Sequence, residues 1–217
     1  MIVSDASSII SLAMNCMSNV LSLMEADIAI TPAVYDEIFT RPVKTKKFAL
    51  EALRIKKLFA EGTIHIVDED HNLTDRILDL SNSIYSAKGK NIRIVHKGEA
   101  AALALMCKLN ADALLIDERT TRLLIEDPDS LRGLLNHRTG ESIRMDNKRL
   151  SELSRLVGDT PIIRSAEIAF RAYEMNLLDD FNTRDYNVLD AMLYALKFSG
   201  CAISWDEIEE YIRIRNS

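Results

Sequence analysis

The chain has 217 residues, 47% of them apolar and 28% charged, with 7 glycines, 4 prolines and a formal net charge of −6. That length makes one domain or one domain with an appendage. Scarce Gly and Pro argue against a turn-rich β-sandwich and for long helices, and the acidic balance disfavours binding nucleic acid through bulk charge, leaving room only for a local basic groove. No apolar run approaches the roughly 18 residues of a membrane span, and no basic segment precedes a signal-like core, so the chain reads as cytoplasmic. Cys16, Cys107 and Cys201 are far apart in apolar helical patterns and read as reduced core thiols. The four histidines form no pair at zinc-ligand spacing.

Residues 1–5 (MIVSD) read as a buried strand that ends on a lone acid. A helical period fills 8–24, and a second strand candidate is 27–30. Thr31-Pro32 places a cap residue and then Pro at the first helical position, opening a helix over 32–40. Helical periods at 46–60, 73–87 and 98–109 flank strand candidates at 63–67 and 112–116, with a weaker one at 161–163. Strands alternating with helices predict parallel pairing. Their continuous apolarity predicts a sheet covered on both faces. After about residue 118 the chain turns helical. The stretch 126–160 is polar, in short helical pieces and loops. Helices follow at 164–178 and 185–199. Ser204 caps a last one, with Trp205, Ile208 and Ile212 on one face and acids in its first turn.

Ligands of parallel α/β sheets gather beyond the carboxyl ends of the strands. Asp5 and Asp117 ("LLIDERTTR") each follow an apolar run, so both fall on that edge. Glu37 in "TPAVYDEI" and Glu99 in "HKGEAAALALM" sit in otherwise apolar helical surfaces, and Gly98 and the alanines keep the second helix slim. Each acid alone also reads as a helix cap or a first-turn residue favoured by the helix dipole. Converging, four carboxylates remain ionised together only around a cation. Hard oxygen ligands with open positions suit Mg²⁺ or Mn²⁺, which activate water and stabilise charge on a phosphate in flight. Ser7 stands close enough to orient Asp5 or a bound water.

These residues resemble the PIN-domain nucleases. The family pattern of apolar strand, Asp, small residue and Ser is matched by Val3-Ser4-Asp5-Ala6-Ser7. An acid early in a second-layer helix is matched by Glu37, and Gly-Glu before an alanine-rich helix by "KGEAAALAL". A strand ending in Asp, a second acid and Arg is matched by Asp117, Glu118 and Arg119. "RSAEIAFRAYEMNLL" looks like a helix near the family's end. The resemblance implies a three-layer α/β/α fold on a central parallel sheet. It implies RNA hydrolysis with Mg²⁺ or Mn²⁺. Asp5, Glu37, Glu99 and Asp117 carry over as catalytic acids; Asp5, Glu99 and Asp117 hold metal, with Ser7, Glu118 and Arg119 in support. It suggests dimers, and a protein partner such as an antitoxin or an RNA-processing factor. On this pattern 1–125 is the α/β core, 126–163 a helical insertion, and 164–217 a set of helices packing on the core in one compact unit. Compact toxin members of the family are shorter, and Glu118 stands where Asp is commoner.

The loops "TRPVKTKK" and "AKGKNIRIVHKGE" are basic patches beside the acids, and Lys97 and Arg122 are candidate substrate contacts. Arg119 and Arg122 either position a phosphate or pair with site acids. No aromatic is interleaved with the basic loops, so base stacking has no support in the sequence. His96 reads as incidental, because metal-bound water needs no histidine. The competing function is a catalytically weak PIN-like module that binds RNA or protein. A haloacid-dehalogenase-type phosphatase needs a second Asp where Ser7 stands, and a dinucleotide-binding fold needs a glycine-rich first turn that "DASS" lacks.

Overall fold

Strands β1 (Ile2–Ser4), β2 (Ile28–Ile30), β3 (Ile64–Ile66), β6 (Ala113–Leu115) and β8 (Ile162–Ile163) pair in one sheet in the order β3-β2-β1-β6-β8. All four pairings are parallel; Val3 lies opposite Ala29 on one side and Leu114 on the other. The coordinates are a computed structural model, which describes residues 1–178 and 188–215. Ile28, Ala29, Ile30, Leu114 and Leu115 are wholly buried. Continuous apolarity is what a parallel strand needs when helices cover both faces.

One layer holds α1 (Ala6–Met14), α2 (Asn19–Leu23), α5 (Ala49–Ala60), α11 (Ser165–Glu174), α12 (Val188–Phe198) and α13 (Trp205–Arg215). Their buried residues, from Ile9 and Leu12 to Leu193 and Ile208, form one apolar cluster. The other layer holds α6 (His71–Ser81), α7 (Lys97–Leu109), α9 (Pro128–Thr139) and α10 (Asn147–Val157) around a second cluster. Helix α7 is buried along Ala100–Met106, and its alanines let it lie close against β1 and β6. The protein is thus a helix–sheet–helix sandwich, the three-layer α/β/α arrangement. Between β1 and β6 the chain reverses the direction in which it adds strands, and such switch points open a crevice at the carboxyl edge.

Several elements depart from the sequence expectations. The helix expected over 8–24 is two helices, broken where Cys16 takes a positive φ of 59°. The helix expected over 73–87 stops at Ser81, and β4 (Tyr85–Ala87) turns back through Lys88-Gly89 to β5 (Lys90–Asn91). Both turn residues have positive φ, 49° and 76°, the geometry a two-residue hairpin demands. Asn82 stops the helix and anchors the return: its Oδ1 accepts from the backbone of Ile94 and Val95, and its Nδ2 donates to the Val95 carbonyl.

Inside the stretch 126–163, α9 and α10 are full helices, and β7 (Arg144–Met145) adds to β4 in a second, antiparallel sheet. Thr31 caps α3 (Pro32–Tyr35) as expected, but the helix then widens into a π turn, Asp36–Thr40, before α4 (Arg41–Thr45). Residues 185–187 of the helix expected over 185–199 lie outside the described residues. The cysteines are all free, yet only Cys201 is buried; Cys16 is exposed at its left-handed turn and Cys107 half-buried.

Candidate active site at the carboxyl edge

Asp5 ends β1 and caps α1. Its Oδ2 accepts from the Ser7 amide at 3.2 Å and from the Ser7 hydroxyl at 2.8 Å. The Ser7 oxygen in turn accepts from the Asp117 amide at 3.2 Å, which ties the end of β1 to the end of β6. The cap and the metal-site readings of Asp5 are therefore compatible. One oxygen serves the helix, and Oδ1 has no hydrogen-bond partner among the described residues.

Glu99 has the same division of labour. Its Oε2 accepts from the His96 amide at 2.8 Å and from the Thr121 hydroxyl at 3.0 Å, and Oε1 is unengaged among the described residues. Burial pushes its carboxyl up, and the charges of Glu118 and Asp5 push it further. Glu37 stands in the π turn, a rare helical form often found at functional sites. Partial burial and then the charge of Asp5 raise its carboxyl as well, with Arg41 opposing and Asp36 adding. Asp5, Glu37, Glu99 and Glu118 thus share one negative field.

Glu118 caps α8 (Arg119–Glu126). Its Oε2 accepts from the Thr121 amide and its Oε1 from the Thr120 hydroxyl, both at 2.6 Å. Asp117 is arranged differently from the other acids. It is 1% exposed, and both its oxygens are occupied by one residue at the start of α11: Oδ1 by the Ser165 amide at 2.7 Å and Oδ2 by the Ser165 hydroxyl at 2.6 Å. Sequence reasoning did not single out Ser165. The small-residue start of "RSAEIAF" is its only mark in the sequence.

A cleft of about 450 Å³ opens beside Glu99 and Glu118, lined also by His96, Arg93 and Arg138. Arg93 comes from the basic loop before α7, whereas Arg138, absent from the sequence reading, comes from α9. Lys97 is exposed in the first turn of α7. Arg119 and Arg122 line a second cleft, formed with residues of α12 and the start of α13. In the basic loop after Glu37, Arg41 is paired with Asp36 at 2.6 Å. Among the described residues, no three of His, Cys, Asp and Glu are gathered closely enough to hold a metal ion as a group, and no helix is long and apolar enough to cross a membrane.

The chain matches a family model described as a PIN domain over residues 1–127. No match to it was found among curated proteins or solved structures. The matched span runs from β1 through the end of α8 and carries all of the acids above. PIN domains are generally nucleases and generally use divalent metals. With over half its length matched and the acids in order on the carboxyl edge of a parallel sheet, the chain belongs to the PIN-domain family.

Proposed function

We propose that the protein is a metal-dependent endoribonuclease acting at the carboxyl edge of β1 and β6. The observation that carries this reading is geometric: within the PIN-domain span, Asp5 and Glu99 each spend one carboxylate oxygen on internal hydrogen bonds and leave the other open among the described residues. Glu37 and Glu99 come from separate elements, and the charge of Asp5 raises both. Like charges gathered without a counter-ion cost stability, and proteins tolerate that where a ligand offsets it. A hard dication fits this donor set. Mg²⁺ is held through one or two carboxylates and keeps several waters, and Asp5 Oδ1 and Glu99 Oε1 are the two carboxylate oxygens left open on fixed side chains. When bound, such an ion lowers the pKa of water and stabilises charge on the phosphate.

The chain's own residues supply the rest. Ser7 fixes the rotamer of Asp5, and Thr121 with the His96 amide fixes Glu99. Glu37 closes the acidic edge from the π turn. Arg93 and Arg138 offer cations to the RNA backbone in the adjoining cleft. Asp117 acts as a positioning residue, holding α11 against the sheet through Ser165.

A second reading keeps the fold as an RNA- or protein-binding module with weak catalysis. It is favoured by one observation: Glu118 and Asp117 each have both oxygens engaged inside the protein. Mixed-sequence single-stranded and hairpin RNA, incubated with Mn²⁺ or Mg²⁺, separates the two. The nuclease reading expects cleavage that EDTA and Asp5→Asn both abolish. No cleavage, with wild type and variant binding RNA alike, would replace it with the binding module.

A further inference from the structure

The second cleft, of about 460 Å³, lies between the start of α8 and the α12–α13 corner. Three cations line it: Arg119, Arg122 and Lys197. Two aromatics line it as well, Phe198 at 77% exposure and Trp205 at 48%. Tyr194 extends the cluster, its ring 5.2 Å from that of Trp205. Trp205 was expected on the apolar face of α13 with Ile208; Ile208 is buried, but the indole faces solvent. Its orientation is fixed: Lys197 sits 4.2 Å over the ring and also donates to the Ile203 carbonyl.

The cations have capacity to spare. Arg119 is exposed and has no ion-pair or hydrogen-bond partner among the described residues. Arg122 reaches Glu126 only at 3.6 Å, and among the described residues its buried Nε has no partner. The one acid of the cleft, Glu207, is already held by Arg164 at 2.9 Å and by the Ser204 amide at 2.7 Å. An acidic protein has therefore placed an unspent positive charge beside exposed indole and phenyl rings. It has done so one residue from Glu118, which lines the first cleft together with Glu99.

Cations tracking a backbone, beside rings on which any base can stack, are what single-stranded nucleic acid requires. A protein surface seeking only an apolar partner has no use for an unpaired Arg119 beside a second guanidinium, Arg122, that only Glu126 engages, at 3.6 Å. We propose that this cleft is a nucleotide subsite, in which a base of single-stranded RNA stacks on Trp205 while Arg119 and Arg122 hold its phosphate. The subsite rests on the proposed function for the identity of its ligand as RNA, and it explains how a substrate strand is threaded across Glu118 towards Asp5. The aromatic part of the subsite lies beyond the residues matched by the family model.

Trp205 is the chain's single tryptophan, so its fluorescence reports on this cleft alone. The full-length protein is titrated in EDTA with a ten-nucleotide 2′-O-methyl oligouridine, which cannot be cleaved. Saturable quenching of Trp205 is expected. Arg119→Gln with Arg122→Gln should weaken binding about tenfold and flatten its salt dependence by one to two charges. Trp205→Ala, followed by anisotropy of a labelled strand, should weaken it at least about fivefold.

Binding by anisotropy without quenching would overturn the subsite and leave the nuclease reading standing. Quenching without cleavage in any metal would do the reverse. Absence of binding, or a Trp205 blue shift that follows protein concentration together with dimers in sedimentation, would also overturn the subsite; the dimer result would make this face a contact between copies of the chain.

Discussion

The ends of β1 and β6 look alike in sequence and differ in the folded protein. Each is an apolar strand, then Asp, then a helix. At the end of β1, Asp5 spends one oxygen on Ser7 and leaves the other open to a field it shares with Glu37 and Glu99. At the end of β6, Asp117 is sealed, with both oxygens taken by Ser165. A buried carboxylate is stable only when hydrogen-bonded, and Ser165 meets that need from 48 residues away. What a strand-end acid does is decided by what the rest of the chain brings to it.

The sharpest way to break this contrast is to neutralise each acid in turn. Asp5→Asn keeps the cap, because Asn caps helices as well as Asp. Cleavage of RNA should fall by roughly 10²-fold or more, with the melting temperature little changed. Asp117→Asn should act mainly on stability. Initial rates per folded molecule, read beside thermal melts, distinguish the two. An equal loss of cleavage in both variants, with Asp117→Asn fully stable, would show that Asp117 belongs with the reacting groups after all.

Much of this was legible before folding. Four of the five parallel strands announce themselves as short apolar segments and the fifth, at Ile162–Ile163, only faintly; the acids announce themselves by ending those segments or by interrupting apolar helical faces. Thr31-Pro32 and Ser204 announce their helices through cap chemistry that acts within three residues. What was not legible is long-range. Ser165 is an ordinary small residue until α11 brings it to β6. The basic loops suggested where cations lie, but Lys197 and Trp205 meet Arg119 and Arg122 only because α12 and α13 fold back over α8. The hairpin at Lys88-Gly89 was hidden by the apolar residues around it, which satisfy a helical period equally well. The partner that decides the structure there is β7, more than 50 residues on.

Ser165→Ala tests the sealed end directly. It removes the hydroxyl that donates to Asp117 Oδ2 and leaves part of a buried charge unsatisfied. The expected cost is about 1.5–3 kcal/mol, equivalent to a fall of roughly 3–12 °C in melting temperature at this chain length. Cleavage by the molecules that remain folded should change only a few-fold. A melt indistinguishable from wild type would mean that Ser165 does not hold Asp117 in solution.

The smallest effect is on pH dependence, where two sets of carboxylates pull in opposite directions. Glu37 and Glu99 have carboxyls raised above their ordinary value, chiefly by burial and then by neighbouring acids. A raised acid subtracts stability at neutral pH and returns it as pH falls through the folded-state value, because the folded protein then takes up the proton more readily. Glu167 and Glu207 are the counter-case. Burial pushes both up, but hydrogen bonds and the charge of Arg164 more than offset it and hold both below the ordinary value. Their stabilisation is complete above the unfolded value and is lost as pH falls through the folded one. Glu37→Gln removes one member of the first set. Denaturation midpoints taken in EDTA between about pH 4 and 7 should show the variant more stable at neutral pH by roughly 0.5 kcal/mol or less, since Glu37 is only partly buried and solvent screens its remaining surface. Its advantage should shrink as the pH drops. Added Mn²⁺ should stabilise wild type more than the variant, because the ion offsets the repulsion that the substitution has already removed. A variant whose pH slope and Mn²⁺ response both match wild type would place Glu37 outside the field of Asp5, and would reduce the acidic edge to Asp5, Glu99 and Glu118.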